Sequence, residues 1–161
     1  MLEVHELGPG DWPAWRSIRL AALTESPAAF TTALADWEGA GDTEHRWRAR
    51  LESVPFNVVA RRDSRDVGMV SAMPRGEQGE VELLSLWVAP EARGSGVGDA
   101  LVGAVVDWAR GRAARWLVLR VREGNQAAER LYRRHGLARS GGGEDGGGGG
   151  PDREIEMRRR L

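Results

Sequence analysis

The sequence predicts an α+β fold, with a mixed, mostly antiparallel central sheet flanked by helices on both faces. Three observations predict it. The first is the element order: strand, two helices, three strands, helix, strand, helix, two strands. That order combines hairpins, which make antiparallel pairs, with two helical crossovers, which make parallel ones. The second is size, since 161 residues, 41% of them hydrophobic, suffice for one domain with a real core. The third is a glycine-rich turn, Arg93-Gly94-Ser95-Gly96-Val97-Gly98, set between an apolar strand and a helical pattern.

Each element has its own reason. Leu2 to Leu7 alternates apolar and polar residues, which marks a short strand. Gly8-Pro9-Gly10 turns the chain, and Asp11 is placed to cap a helix that begins at Trp12 and carries Pro13 in its first turn. Trp15, Ile18 and Ala22 mark that helix's buried face, and Glu25-Ser26-Pro27 ends it. Asp42 or Thr43 opens a second helix through Trp47 to about Leu51, closed by Pro55. Phe56–Arg61 and Val67–Met73 read as strands around a polar hairpin turn, and Pro74 to Gly79 turns into the strand Val81–Val88. Pro90 stops that strand, because it donates no ladder bond and keeps Ala89 from helical angles. From Val97 onward the apolar residues Val97, Leu101, Ala104 and Trp108 recur at helical spacing. Trp116–Val121 is a further strand. Asn125 caps a last helix that stops at Gly136, and Leu137–Arg139 and Glu154–Met157 complete the sheet. The stretch 141–150, glycine apart from Glu144 and Asp145, predicts a disordered surface loop.

Composition narrows the function. A formal net charge of −1 gives no global attraction to nucleic acid or membrane, and Arg158-Arg159-Arg160 is read as a solvated terminus. All 23 basic residues are arginine, which fits a coding bias rather than chemistry. With no cysteine there is no disulfide, thiolate metal site or cysteine nucleophile. His5, His45 and His135 are too scattered for a metal site, so none is expected. No apolar run reaches the roughly 20 residues of a membrane span, and Met1-Leu2-Glu3-Val4 shows no signal peptide. A cytoplasmic location is the expectation.

The glycine-rich turn reads as an anion site. The first amides of a helix have no internal partner, the helix dipole is positive there, and glycine lets main chain approach a phosphate. A Walker loop would need a lysine, and the chain has none. A dinucleotide fingerprint would need Gly-x-Gly-x-x-Gly in the first βα unit, and this spacing and position differ. Arg93-Gly94-x-Gly-x-Gly98 instead resembles the pyrophosphate loop of the GCN5-related N-acetyltransferases, the GNAT superfamily. Asn125-Gln126-Ala127-Ala128-Glu129-Arg130-Leu131-Tyr132-Arg133-Arg134-His135-Gly136-Leu137 resembles the second signature of that family, with Leu137 in place of the usual aromatic. The element order resembles the family over nearly the whole chain, so the resemblance implies the GNAT fold.

The resemblance also implies acetyl transfer from acetyl-CoA to a primary amine by direct attack through a tetrahedral intermediate. The acceptor would be a small molecule or a peptide or protein amine, and a homodimer would fit the family. Amides of Arg93, Gly94, Ser95, Gly96, Val97 and Gly98 would hold the pyrophosphate, with a charge from Arg93. Main chain of Leu86, Trp87 and Val88 would pair with the pantetheine arm as a strand would. Ala128 would leave room for that arm, and Asn125 would contact it or cap the helix. Tyr132, the one tyrosine in the chain, would protonate the leaving thiolate. A main-chain amide near Trp87 or Val88 would stabilise the oxyanion. An amine with a pKa of about 10 must lose a proton before attack, and Glu82 is the candidate base, ahead of Glu80 or water. Trp37 or Trp47 would line the acceptor pocket. A second reading, a non-catalytic acyl-CoA-binding or regulatory domain on the same fold, stays open at this point.

Overall fold

A computed structural model describes residues 1–30, 32–76, 78–140 and 153–161. The glycine-rich stretch 141–150 lies outside the described residues. The helices are α1 (Trp12–Glu25), α2 (Glu44–Ser53), α3 (Val97–Gly111) and α4 (Gln126–Arg134). The strands are β1 (Leu2–Glu6), β2 (Phe56–Arg62), β3 (Arg65–Arg75), β4 (Glu80–Val88), β5 (Trp116–Arg122), β6 (Ala138–Arg139) and β7 (Glu154–Arg160). They form one sheet in the order β1-β2-β3-β4-β5-β7-β6. All neighbours are antiparallel except β4 and β5.

Helices cover both faces, as the sequence predicts. Gly68 on β3 lies against α3, where a Cβ would come within 2.9 Å of Leu101 and of Val97. Ser71, of opposite parity on the same strand, reaches Arg50 on α2. Between the layers Val58, Val59, Met69 and Val70 are almost wholly buried, together with Trp15, Trp47, Leu101 and Leu119.

Two local expectations change. Asp11 occupies the N-cap position of α1, but its carboxylate accepts from the amide of Gly8 at 2.8 Å and so caps the turn before the helix. The final strand runs on to Arg160 rather than stopping at Met157. The terminal arginines are therefore built into the sheet. Arg158 pairs with Glu80 and lies over Trp116 at 4.8 Å, and Arg159 donates to the carbonyl of His135 at 2.9 Å.

The feature that makes a site is the join of β4 to β5. These strands pair only from Glu80 to Glu82 against Trp116 to Val118, and then diverge. β4 keeps its other partner as far as Val88. Opposite Val70, β4 carries both Ser85 and Leu86, because Trp87 faces Met69 while Leu84 faces Ser71. This is a β-bulge, and Ser85 has φ +56°. A bulge bends its strand and increases its twist. Here it turns the second half of β4 away from β5 and leaves that edge without a neighbouring strand among the described residues.

Candidate active site

The divergence opens a cleft of about 1330 Å³. Its walls carry Glu82, Leu86, Trp87, Val88, Arg93, Gly94, Gly96, Gly98, Asn125, Ala128 and Tyr132. Residues expected from two separate sequence stretches thus meet in one groove. Ser95 and Val97 do not line it. The Ser95 hydroxyl donates to the carbonyl of Ala92 and accepts from Arg62, while Val97 is 1% exposed and belongs to the core.

The glycine loop is built from backbone. Gly94 and Gly96 have φ of +75° and +90°, angles at which a Cβ collides with the chain itself. Gly96 is the N-cap of α3, and the first helical bond is donated by Ala100. Among the described residues, the amides from Gly94 through Asp99 donate to no acceptor. Gly98 serves another purpose. A Cβ there would stand 3.0 Å from Leu131, so its absence lets α3 and α4 pack closely. Asp99 is partly exposed, and it is paired. It accepts from His135 Nε2 at 2.9 Å and from Arg134, which ties the start of α3 to the end of α4. These partners hold its carboxyl below the usual range, the hydrogen bond from His135 contributing most.

Arg93 is folded back. Its Nε donates to the Val88 carbonyl at 3.0 Å and its Nη2 to Glu25 Oε2 at 2.8 Å. The Trp87 indole donates to the same oxygen at 2.9 Å, and so does the Ser26 hydroxyl. Hydrogen bonds from Ser26 first, then Trp87, with Arg93 adding to them, hold the Glu25 carboxyl down at about 2. Glu25 therefore joins the end of α1 to β4 and to the loop. Nothing local in the sequence marks it, because it reads only as the residue before Ser-Pro.

Tyr132 is 6% exposed, and its ring packs in the core while the residue also borders the cleft. Its hydroxyl has no hydrogen-bond partner among the described residues. Burial raises its pKa well above the ordinary phenol value, so it stays protonated at neutral pH. Asn125 accepts from the amide of Ala128 at 3.2 Å, which establishes the cap. Of the two strand carboxylates, Glu80 is paired with Arg158 and lies off the cleft, whereas Glu82 lines it.

The tryptophan expectation fails. Trp47 is fully buried, donates to Asp42 at 2.8 Å and packs against Trp37 with ring centroids 4.4 Å apart and planes tilted by 34°, and neither ring reaches the cleft. Arg19 and Arg50 line that side instead. A sequence clue to Arg19 existed, since it stands at the centre of the Trp15–Arg19–Leu23 stripe on the buried face of α1.

Bare amides at a helix start, a free strand edge and a protonated phenol meeting in one cleft are the observation that decides the family question together with the sequence match. The model of the acetyltransferase (GNAT) family matches residues 12–137. The chain belongs to the GNAT family. It is 29% identical over 133 residues to the mycothiol acetyltransferase of Renibacterium salmoninarum, an alignment covering 80% of this chain and 38% of that protein. The chain thus spans well under half the length of that relative. A GNAT-family acetyltransferase from Streptococcus pneumoniae superposes with TM-score 0.79 at 19% identity, covering 100% of this chain and 99% of that one. A PaiA N-acetyltransferase from Thermoplasma acidophilum, solved with coenzyme A, gives TM-score 0.73 at 16% identity, covering 100% and 99%. Both structures support the mixed seven-stranded GNAT fold. Among the described residues, no helix is long and apolar enough to cross a membrane.

Proposed function

We propose that this GNAT protein is an N-acetyltransferase that moves an acetyl group from acetyl-CoA to a primary amine. The observation that carries the reading is the run of unpaired amides from Gly94 to Asp99 at the mouth of the cleft that Tyr132 borders. The donor fits this cradle. Main-chain donors at the positive end of α3 suit a pyrophosphate, and side chains are absent at Gly94 and Gly96. The unpaired edge of β4 at Leu86 and Trp87 offers main-chain groups to an amide-bearing arm, as an added strand would. The Val88 carbonyl is already taken by Arg93, so pairing there requires Arg93 to move or stops one residue short. Ala128 stands one turn before Tyr132 on α4 and keeps the groove open between them.

Acetyl-CoA supplies an activated acyl thioester. The chain's own residues do the rest. Glu82 takes a proton from the acceptor amine, directly or through water, so that the amine attacks uncharged. An amide on the free edge of β4 meets the negative charge developing on the carbonyl oxygen. The Tyr132 hydroxyl, protonated and without a partner among the described residues, gives its proton to the departing thiolate. Ser95 and Val97 contribute main-chain amides only, since their side chains are engaged away from the cleft.

The experiment is thermal stabilisation followed by turnover. Acetyl-CoA should raise the unfolding midpoint while ATP and NAD do not, and a panel of amines should release free thiol from it. Stabilisation without thiol release for any amine would favour a non-catalytic acyl-CoA-binding domain. No stabilisation at all would end both readings.

A further inference from the structure

In the cleft two arginines, Arg19 and Arg50, lie close together, and among the described residues no carboxylate pairs with either. Arg19 is 8% exposed, and its Nη1 is fully buried with no hydrogen-bond partner. Among the described residues it forms no ion pair, and its guanidinium rests 4.7 Å from the Phe30 ring centroid. Arg50 donates to Asn57 Oδ1 at 3.0 Å and to Ser71 Oγ at 3.1 Å, and lies 5.1 Å over Trp15. Ser71 in turn donates to Asn57 Oδ1 at 2.7 Å, and Asn57 donates to the Val54 carbonyl at 2.7 Å. This network fixes Arg50 in place, but every member of it is neutral.

The electrostatics agree with the geometry. Burial brings Arg19 down to about 10, and burial, then the nearby charge of Arg19, brings Arg50 down to about 10. No carboxylate acts on either in the opposite sense. Both stay charged at neutral pH, and buried charges are normally paired because desolvation costs several kcal/mol for each. Aromatic faces offset only part of that. A buried guanidinium without a partner, beside a second one held by neutral groups, lacks an anion, and both border the cleft that holds Glu82.

We propose that the acceptor is an amine that also carries an oxyanion, and that Arg19 and Arg50 hold the oxyanion while the amine faces Glu82. The proposal rests on the acetyltransferase reading and names the acceptor class for it. Paired guanidiniums bind carboxylate or phosphate through several charge-assisted hydrogen bonds. Neutral or cationic amines leave the pair uncompensated and are disfavoured.

The test compares ω-amino carboxylic acids, from β-alanine upward, with their carboxamides, and phosphoethanolamine with ethanolamine. Wild type, Arg19→Met and Arg19→Lys are assayed for thiol release from acetyl-CoA. Acids should exceed their neutral counterparts by roughly tenfold or more in kcat/KM. Arg19→Met should collapse that ratio by raising KM for the acids, with acetyl-CoA affinity unchanged and the thermal midpoint equal or higher. Arg19→Lys should restore part of the preference. Preference for the phosphate or for the carboxylates identifies which oxyanion the pair takes, and either supports the proposal. Equal turnover of acids and neutral amines by wild type, or an unchanged ratio in Arg19→Met, overturns it and leaves acetyl transfer standing. If acetyl-CoA neither binds nor turns over, the acetyltransferase reading fails separately. The pair is then judged by whether the acids raise the midpoint of wild type and not of Arg19→Met. No such difference overturns it.

Discussion

The two sides of the cleft are made in different ways. The proposed donor side comes from two contiguous stretches, the loop Arg93–Gly98 with the start of α3, and α4 from Asn125 to Tyr132. Its main instruments are backbone amides, which any residue carries once the chain adopts the right angles. The proposed acceptor side draws Arg19 from α1, Arg50 from α2, Asn57 from β2, Ser71 from β3 and Glu82 from β4. Its instruments are side chains, and each depends on several others for its position. Binding by main chain is therefore local and robust, while binding by assembled side chains belongs to the fold as a whole. Glu25 stands between the two, with one carboxylate joining α1, β4 and the loop.

The largest expected effect lies where the two sides meet. Tyr132→Phe keeps the buried ring and removes the proposed proton donor. We expect kcat to fall roughly 100-fold or more for every acceptor, with little change in acetyl-CoA affinity. Steady-state kinetics on acceptors of different size decide it. A loss confined to one acceptor would place the phenol on the acceptor side and break the division. Next is Gly96→Val, which forces a β-branched residue to φ +90°. The strain of about 1–2 kcal/mol should weaken coenzyme A binding by roughly tenfold, measured by titration calorimetry, with acceptor KM unmoved.

The smallest effect concerns Glu25. Its folded pKa, about 2, lies below the ordinary 4.5, so the stabilisation is complete above the ordinary value. It is lost as the pH falls from 4.5 toward 2. Glu25→Gln should flatten the decline of stability across that window. Near neutrality it should lower the melting midpoint by about 2–4 °C at most, because the carboxylate is partly solvated. Acid titrations followed by circular dichroism test this. A steeper decline in the variant would show that Glu25 does not link the two sides.

Much of this was legible in the residues. Alternation and helical spacing marked the elements, and two glycine- and asparagine-bearing stretches marked the donor side. Other features were hidden for physical reasons. The bulge at Ser85–Leu86 carries no glycine and lies in an apolar run, so nothing local marks the point where β4 turns from β5. The pairing of Asp99 was hidden because its partners, Arg134 and His135, lie at the end of another helix. Trp37 and Trp47 looked like pocket residues because exposure cannot be read from residue type, and they pack against each other, rings tilted, instead.

By itself the sequence determined the element order, the αL glycines before α3, the cap at Asn125 and the tyrosine one turn beyond Ala128. Each of these follows from short-range sterics and hydrogen bonding along a continuous piece of chain. Only the tertiary structure decided that β4 and β5 part after Glu82, that Glu82 and not Glu80 lines the cleft, and that Arg19 and Arg50 meet there with no carboxylate paired to either among the described residues. Those outcomes depend on which distant groups share a low-dielectric space, and that is a property of packing rather than of spacing along the chain.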